Sequence, residues 1–247
     1  PDLDRLADSF NKMARALEER ILRDAQFASD VSHELRSPLT TLKASVGVLE
    51  ARRQELSERS QTALTLLSDD LERFTRLVVD LLEISGYDAG AAALDLSEVQ
   101  VAQFLSATTR GIGPVPLHMP PRSENLMIRA DKRRLARLIS NLLDNADRYG
   151  GGATSIVVEN DGPILRIAVE DGGPGIPEEE RGAIFERFSR GSAGGRRGGD
   201  SGTGLGLSLV IEDARIHKGR VWVEDRPDGL PGARFIVELP TDTEDEL

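Results

Sequence analysis

The chain has 247 residues, with 42 acidic against 31 basic side chains and a formal net charge of -11. That length fits one large domain or two ordinary ones, and 39% apolar with 30% charged residues is the balance of a core-forming chain. The acidic excess argues against non-specific nucleic-acid binding, which wants a basic surface; the absence of cysteine excludes disulfides and zinc–thiolate sites, and three histidines (His33, His118, His217) are too few for a histidine-rich metal cluster. No stretch approaches the roughly 18–20 consecutive apolar residues that span a bilayer, and no secretory signal is visible. The chain starts at Pro1 rather than Met, and so reads as a fragment of something longer.

The N-terminal third has helical periodicity. Leu6, Phe10, Met13, Leu17 and Ile21 recur at spacings of three and four, and the pattern resumes at Ala28, Val31, Leu35, Leu39, Leu42, Val46 and Leu49. The polar run Ala51–Glu55 reads as a turn. Ser57 reads as the N-cap of a second helix with the stripe Leu64, Leu67, Leu71, Phe74, Val78 and Leu81. Two helices cannot bury two full stripes alone. A second copy would complete a four-helix bundle, which predicts a homodimer. The Gly/Ala-rich segment Gly86–Ala93 reads as the helix end and a hinge. The expected boundaries are an incoming helix at 1–20, a helical-hairpin domain at 21–86, a linker at 87–94, a second domain at 95–240 and an acidic tail at 241–247.

Within the second domain, Leu126–Ile128 reads as a short strand and about Asp131–Tyr149 as a helix. Ile156–Glu159 and Ile164–Glu170 flank Asn160-Asp161-Gly162, a hairpin signal. Arg220–Asp225 and Arg234–Leu239 form a further strand pair around a Pro/Gly turn. The expected class is α+β: a two-helix hairpin forming a dimeric four-helix bundle, then an α/β sandwich with helices on one face of a mixed sheet. Between them lies Ser189–Thr203, with six glycines and three arginines, which reads as a mobile loop because it has nothing to pack.

Two constellations carry chemistry. The first is Ser32-His33-Glu34-Leu35-Arg36-Ser37-Pro38. His33 lies off the apolar stripe and faces water; by position alone it is an ordinary surface histidine. Glu34 beside it can take a proton from one imidazole nitrogen and leave the other a better nucleophile. Pro38 lacks an N–H, frees the Glu34 carbonyl and should bend the helix there.

The second is a pocket in four pieces. Asn141, Asn145 and Arg148 stand four and three residues apart, on one helix face, with Tyr149 adjoining. Asn oxygens suit Mg²⁺, and Arg148 suits phosphate. Asp171-Gly172-Gly173-Pro174-Gly175-Ile176 lets backbone approach a ligand, and the Asp171 carboxylate can accept from an exocyclic amine such as adenine N6. Phe185-Glu186-Arg187-Phe188 would set two rings in the core at the base of the mobile loop and leave Arg187 for phosphates. Gly202-Thr203-Gly204-Leu205-Gly206 opens a helix and offers free N–H groups to an anion. Taken singly, each piece has a plain reading as exposed amides or a Gly-rich turn. No Lys-Ser/Thr follows the glycines, so this is no Walker loop, and no strand leads into them, so it is no dinucleotide fold.

Together these residues resemble the sensor histidine kinases. Phe27–Leu42 is similar to their H box, Asn141–Tyr149 to the N box, Asp171–Gly175 to the G1 box, Phe185–Phe188 to the F box and Gly202–Leu207 to the G2 box, in family order. Asp2–Glu19 resembles the last helix of a HAMP domain. The resemblance implies a dimerisation and phosphotransfer domain, then a Bergerat-type (GHKL) ATP-binding domain. It implies ATP and Mg²⁺ as cofactors, autophosphorylation of His33 assisted by Glu34, and transfer to an aspartate on a response regulator receiver domain. By the same match Asn145 and Asn141 hold Mg²⁺, and Arg148, Tyr149, Arg187 and Arg190 contact phosphates or nucleotide. Asp171, Gly173, Gly175 and Ile176 line the adenine side, and Gly202, Thr203, Gly204, Leu205 and Gly206 close the lid. Ser37 stands where Thr or Asn is frequent in the family, four residues after the histidine; its hydroxyl implies phosphatase activity toward the same regulator. The HAMP-like start implies the cytoplasmic portion of a bacterial inner-membrane receptor. ATPases and clamps of the same fold, and Ser/Thr kinases of the anti-sigma type, lack the His33–Glu34 helix.

Overall fold

The structure, a computed structural model, describes residues 31, 34, 35, 37–88, 94–111, 115–189 and 203–241. The stripe before Val31, His33, Arg190, Gly202, nearly all of the glycine-rich loop and the tail beyond Thr241 lie outside the described residues. The chain divides into two units, Pro1–Ala93 and Leu94–Leu247.

In the first unit, helix α1 covers residues 37–51, with Val31, Glu34 and Leu35 also helical. Pro38 is helical, within this run. A 3-10 turn at Arg53–Glu55 leads to α2 (Glu58–Asp88), which the Ser57 hydroxyl caps by accepting the Ser60 N–H at 3.3 Å. The sequence reading ended this helix at Gly86, yet α2 runs on to Asp88. An interior glycine costs only about 1 kcal/mol against alanine, too little to stop a long packed helix.

The apolar stripes split into two seams. Leu39, Leu64 and Ile84 are buried, and Val46, Leu71 and Val78 are half-buried beside them. Leu35, Leu42 and Leu49 on one helix and Leu67, Phe74 and Leu81 on the other remain 37–54% exposed. Each exposed set recurs at heptad spacing, so each helix has one seam turned inward and one turned out. The turn is tied by Arg53, which donates to Thr65 Oγ1 (2.6 Å) and Glu50 (3.3 Å), and by Ser68, whose hydroxyl donates to the other Glu50 oxygen (3.2 Å).

The second unit runs β1 (Leu96–Gln100), α3 (Val101–Thr108), β2 (Leu117–His118), β3 (Met127–Asp131), α4 (Lys132–Gly150), β4 (Ala153–Asp161), β5 (Ile164–Asp171), α5 (Gly206–Ile216), β6 (Arg220–Asp225) and β7 (Ala233–Pro240). The sheet order is β2-β4-β5-β7-β6, with β2 parallel to β4 and the other pairs antiparallel; β1 and β3 form a separate ribbon. The strand read at Leu126–Ile128 therefore starts one residue later and runs to Asp131, which then caps α4. Neither β1, α3 nor β2 was anticipated.

Strand alternation gives the sheet two unlike faces. Leu165, Ile167, Val169, Phe235, Val237 and Leu239 join Leu138, Leu142 and Val210 of the helices in one core. On the other face, three rows cross the sheet in register. Glu159–Arg166–Glu238–Arg220 and Ser155–Glu170–Arg234–Glu224 alternate in charge on either side of Val157–Ala168–Ile236–Trp222. Arg166 and Arg220 both pair with Glu238, at 2.8 and 2.7 Å, and Arg234 reaches Glu159 at 3.0 Å. This face satisfies its own charges, and its long side chains cover Ala168 and Ile236, which are buried.

A buried polar network fixes α4 against α5. Asp131 Oδ1 accepts the N–H groups of Arg133 (3.0 Å) and Arg134 (3.2 Å), while Oδ2 accepts from Asp95 N–H at 3.2 Å. His217 Nε2 accepts the Asp131 N–H at 3.0 Å, so Nδ1 holds the proton and donates to the Asp213 carbonyl at 2.6 Å. Arg137 grips the fully buried Asp213 carboxylate at 2.9 and 2.6 Å. Burial alone would raise the Asp131 carboxyl, but the N–H groups of Arg134, Asp95 and Arg133 and the Arg134 guanidinium hold it below the usual carboxylate value.

Candidate functional site

Helix α4 supplies most of the site. Its buried face is Leu135, Leu138, Ile139, Leu142, Leu143 and Ala146, which leaves Asn141, Asn145, Arg148 and Tyr149 half-buried on another side. None of these four side chains makes a hydrogen bond or ion pair among the described residues. The Asn141 Nδ2 is buried with no hydrogen-bond partner among the described residues. Such an atom costs stability unless something else satisfies it.

The N-terminus of α5 abuts that face. A Cβ built on Gly206 would lie 3.5 Å from Asn141 Oδ1, so glycine lets the helix start close to the amide. Leu209 N–H makes the first helical bond, to Leu205 O at 3.0 Å, leaving the N–H groups of Gly206, Leu207 and Ser208 ahead of it for an anion. The Thr203 hydroxyl accepts the Leu205 N–H at 3.2 Å and shapes the entry.

Asp171, at the end of β5, lies against the C-terminal end of α4 at Gly150. It is 4% exposed, and its Oδ1 accepts N–H groups from Gly173 (2.9 Å) and Ala233 (3.1 Å). Its Oδ2 has no hydrogen bond among the described residues and is the oxygen available to an amine donor. A Cβ at Gly150 would fall 2.4 Å from that of Asp171, and one at Gly173 would fall 2.9 Å from Tyr149 O. The C-terminus of α4 and the loop after β5 therefore pack backbone to backbone, which only glycine permits.

Phe185 behaves as the sequence suggested: it is buried and meets Phe235 edge to face, with ring centroids 6.3 Å apart. Phe188 does not. It is 61% exposed, with φ of 62°, because its N–H donates to Gly204 O (2.8 Å) and the chain must reverse there. Gly204 has φ of 72°, and a Cβ on it would be 2.9 Å from Phe188. The two ends of the glycine-rich loop are thus clasped main chain to main chain rather than by a second buried ring. Arg187 is exposed beside this clasp. In the helical unit, Glu34 and Ser37 are exposed on helix, and the Ser37 carbonyl accepts the Thr41 hydroxyl at 3.2 Å.

Sequence reasoning brought together Asn141, Asn145, Arg148, Tyr149, Asp171, Gly173, Thr203, Gly204, Leu205 and Gly206, while Gly175 and Ile176 complete the loop after Asp171. It missed Arg181, Arg226, Thr154 and His217. Arg226 donates to Asp171 O and Thr154 Oγ1, both at 3.0 Å, and Arg181 donates to Ile176 O at 3.1 Å. Each looks in sequence like an ordinary charge in a turn. Among the described residues no group of three His, Asp or Glu could hold a metal, and no helix is long and apolar enough to cross a membrane.

Comparison with known proteins matches both units. A model of the histidine kinase-, DNA gyrase B-, and HSP90-like ATPase family covers residues 130–243, and one of the His Kinase A (phospho-acceptor) domain covers 23–90. The signal transduction histidine-protein kinase AfsQ2 of Streptomyces coelicolor is 35% identical over 259 residues, covering 97% of this chain and 48% of AfsQ2. The crystal structure of full-length ShkA in complex with AMPPNP is 27% identical, with a TM-score of 0.64 over 89% of this chain and 46% of that one. The histidine kinase ThkA, solved with the response regulator protein TrrA, shares the fold at 24% identity and a TM-score of 0.59, over 98% of this chain and 68% of that one. The chain spans about half the length of the curated relatives it matches, 48% of one and 44% of another.

Proposed function

The chain belongs to the sensor histidine kinases, and on that footing we propose that it binds MgATP in its second unit and autophosphorylates on His33. The observation that carries the reading is the set of unspent groups on and around α4: Asn141, Asn145 and Arg148, with the α5 N-terminus beside Asn141 and Asp171 Oδ2 at the helix end. Adenine N6 would donate to Asp171 Oδ2, and the phosphates would meet the α5 N–H groups and Arg148. The side-chain oxygens of Asn141 and Asn145 suit a hard cation that keeps phosphate oxygens and water as its other ligands, while the orphaned Asn141 Nδ2 is a donor for a phosphate oxygen. When bound there, Mg²⁺ would offset the negative charge of the phosphate chain. Arg187, and Arg190 beyond it, extend that role from the base of the lid.

In the reaction, one imidazole nitrogen of His33 attacks the γ-phosphorus in line; the P–N bond forms as the bond to the leaving ADP oxygen breaks. Glu34 takes the proton from the other nitrogen. The phosphoryl group then passes to an aspartate of a response regulator. Ser37, four residues on in sequence from His33 and itself exposed, has a hydroxyl that supports the reverse duty of orienting water to dephosphorylate that regulator. The outward heptad seams Leu35/Leu42/Leu49 and Leu67/Phe74/Leu81 support a homodimer closed as a four-helix bundle. The HAMP-like Asp2–Glu19 segment supports a place at the cytoplasmic face of the membrane, as part of a longer receptor.

Incubation with γ-labelled ATP and Mg²⁺ tests the reading. Label on the wild type that is lost in acid and kept in base, and absent from His33→Gln while that variant still binds ATP, is the expected result. Acid-labile label on His33→Gln would refute the assignment.

A further inference from the structure

Resting on the nucleotide reading above, we propose that Arg226 and Arg181 are positioning residues that set the Asp171–Ile176 loop for adenine and so determine base selectivity. The loop is held at its two ends by main-chain carbonyls. The Arg226 Nη1 donates to Asp171 O and to Thr154 Oγ1, both at 3.0 Å. Its Nε and Nη2 are taken by the Asp228 carboxylate at 3.1 and 2.5 Å. Asp228 is itself oriented, since its Oδ1 accepts the Leu230 N–H at 3.1 Å. At the far end, Arg181 donates through Nε to Ile176 O at 3.1 Å and through Nη2 to Asp225 Oδ1 at 2.6 Å. Each guanidinium therefore bridges one carbonyl of the loop to one carboxylate of the short stretch Asp225–Asp228, which begins with the last residue of β6. A planar fork can do this because its donors point in fixed, divergent directions.

The fit at the Asp171 end is tight. The Arg226 side chain is 10% exposed, and a Cβ on Gly232 would lie 2.0 Å from Asp171 O and 2.7 Å from Arg226 Cδ. With Oδ1 already fixed by Gly173 and Ala233, the place of Oδ2 is inherited from the peptide whose carbonyl Arg226 holds. Adenine presents an amine donor to that oxygen. Guanine presents a carbonyl oxygen at the same edge, which a carboxylate repels. A site built to pair with a hydrogen-bonding group rejects the wrong group only as sharply as its own atom is placed. The more exposed pair, with Asp225 78% exposed against 43% for Asp228, should matter less, so Arg226 is the stronger of the two.

The test uses the full chain and titrations with MgATP and MgGTP, with Trp222 fluorescence during urea unfolding to check that each variant is folded. Wild type should prefer ATP. Arg226→Ala should weaken MgATP about tenfold, ~1.4 kcal/mol, and MgGTP little, so the ratio collapses by about the same factor. Arg226→Lys should not rescue it, because one ammonium cannot span Asp171 O, Thr154 and Asp228. Asp228→Asn, which keeps the arginine but slackens its hold, should lose about threefold of the preference, and Arg181→Ala about as much. A merely structural arginine would lower stability and leave the ATP/GTP ratio where it was. Folded Arg226→Ala and Asp228→Asn proteins with the wild-type ratio would overturn the proposal. If Arg226→Ala does not fold, the ratio in Asp228→Asn decides. Wild type that binds neither nucleotide would instead bring down the nucleotide reading itself, and this proposal with it.

Discussion

Replacing Asp131 tests how the fold holds its site-bearing helix. Asp131→Ala removes the N-cap of α4, which costs about 1 kcal/mol, within a usual span of roughly 0.5–2. It also strands the Asp95 N–H, now 3.2 Å from Oδ2, at about 1–3 kcal/mol for a donor left unpaired. The expected loss is about 2–4 kcal/mol near pH 7. Asp131→Asn keeps an oxygen for the Arg133 and Arg134 N–H groups but turns an NH₂ toward the Asp95 N–H, so it should fall between alanine and wild type. The two changes differ in their pH dependence. The folded carboxyl titrates below its ordinary value, so its stabilisation is fully present above about pH 4 and fades as pH falls through the folded pKa. The gap between wild type and Asp131→Asn should therefore be full at pH 7 and shrink steadily below about pH 4. Urea unfolding followed at Trp222 reads this directly, because the chain has one tryptophan and it lies on β6 in this unit. A loss under about 1 kcal/mol for Asp131→Ala, or a gap to Asp131→Asn that stays constant into acid, would refute the network as described.

Other outcomes follow from single contacts. Asn145→Ala should abolish MgATP binding by calorimetry while leaving the circular dichroism of the helical hairpin unchanged. Phe74→Lys, which puts a charge into the outward seam, should shift the protein from dimer to monomer in sedimentation; a dimer that survives it would move the interface elsewhere. Gly204→Ala should weaken MgATP binding more than it lowers stability, because a side chain at φ of 72° and 2.9 Å from Phe188 opens the clasp at the ends of the lid. His217→Phe should cost about 1–3 kcal/mol in urea unfolding, since the Asp131 N–H loses its acceptor.

How much of this was readable in the sequence depended on whether a residue acts through its own element. Leu64, Leu67, Leu71, Phe74 and Val78 declared α2 because helix periodicity is local, and Leu165, Ile167 and Val169 declared β5 for the same reason. The short β1 and β2 have no such period: Leu117–His118 is a strand only because β4 lies alongside it. Phe188 went astray by the same logic. An aromatic residue near a loop was read as core, but the hydrogen bond to Gly204 fixes a positive φ and turns the ring out. No pattern around residue 188 announces a partner sixteen residues later.

The candidate site divides along the same line. Asn141, Asn145 and Arg148 share a face of one helix, so their spacing alone groups them. Asp171 and the glycines declare a close backbone approach because no other residue tolerates it. The residues that hold these groups in place are invisible from spacing, because each joins segments far apart in sequence: Arg226 to Asp171, Arg181 to Asp225, His217 to Asp131. The division has a physical cause. A side chain that must meet a ligand is left unpaired by its own protein, as Asn141 Nδ2 is, and its type is dictated by the ligand's chemistry. A supporting side chain is paired completely, and any residue that delivered the same donors to the same carbonyls would serve. Residue type therefore points to the ligand, while only geometry points to the support. The support is where selectivity between chemically similar ligands has to be set, because a carboxylate oxygen discriminates by where it is held as much as by what it is.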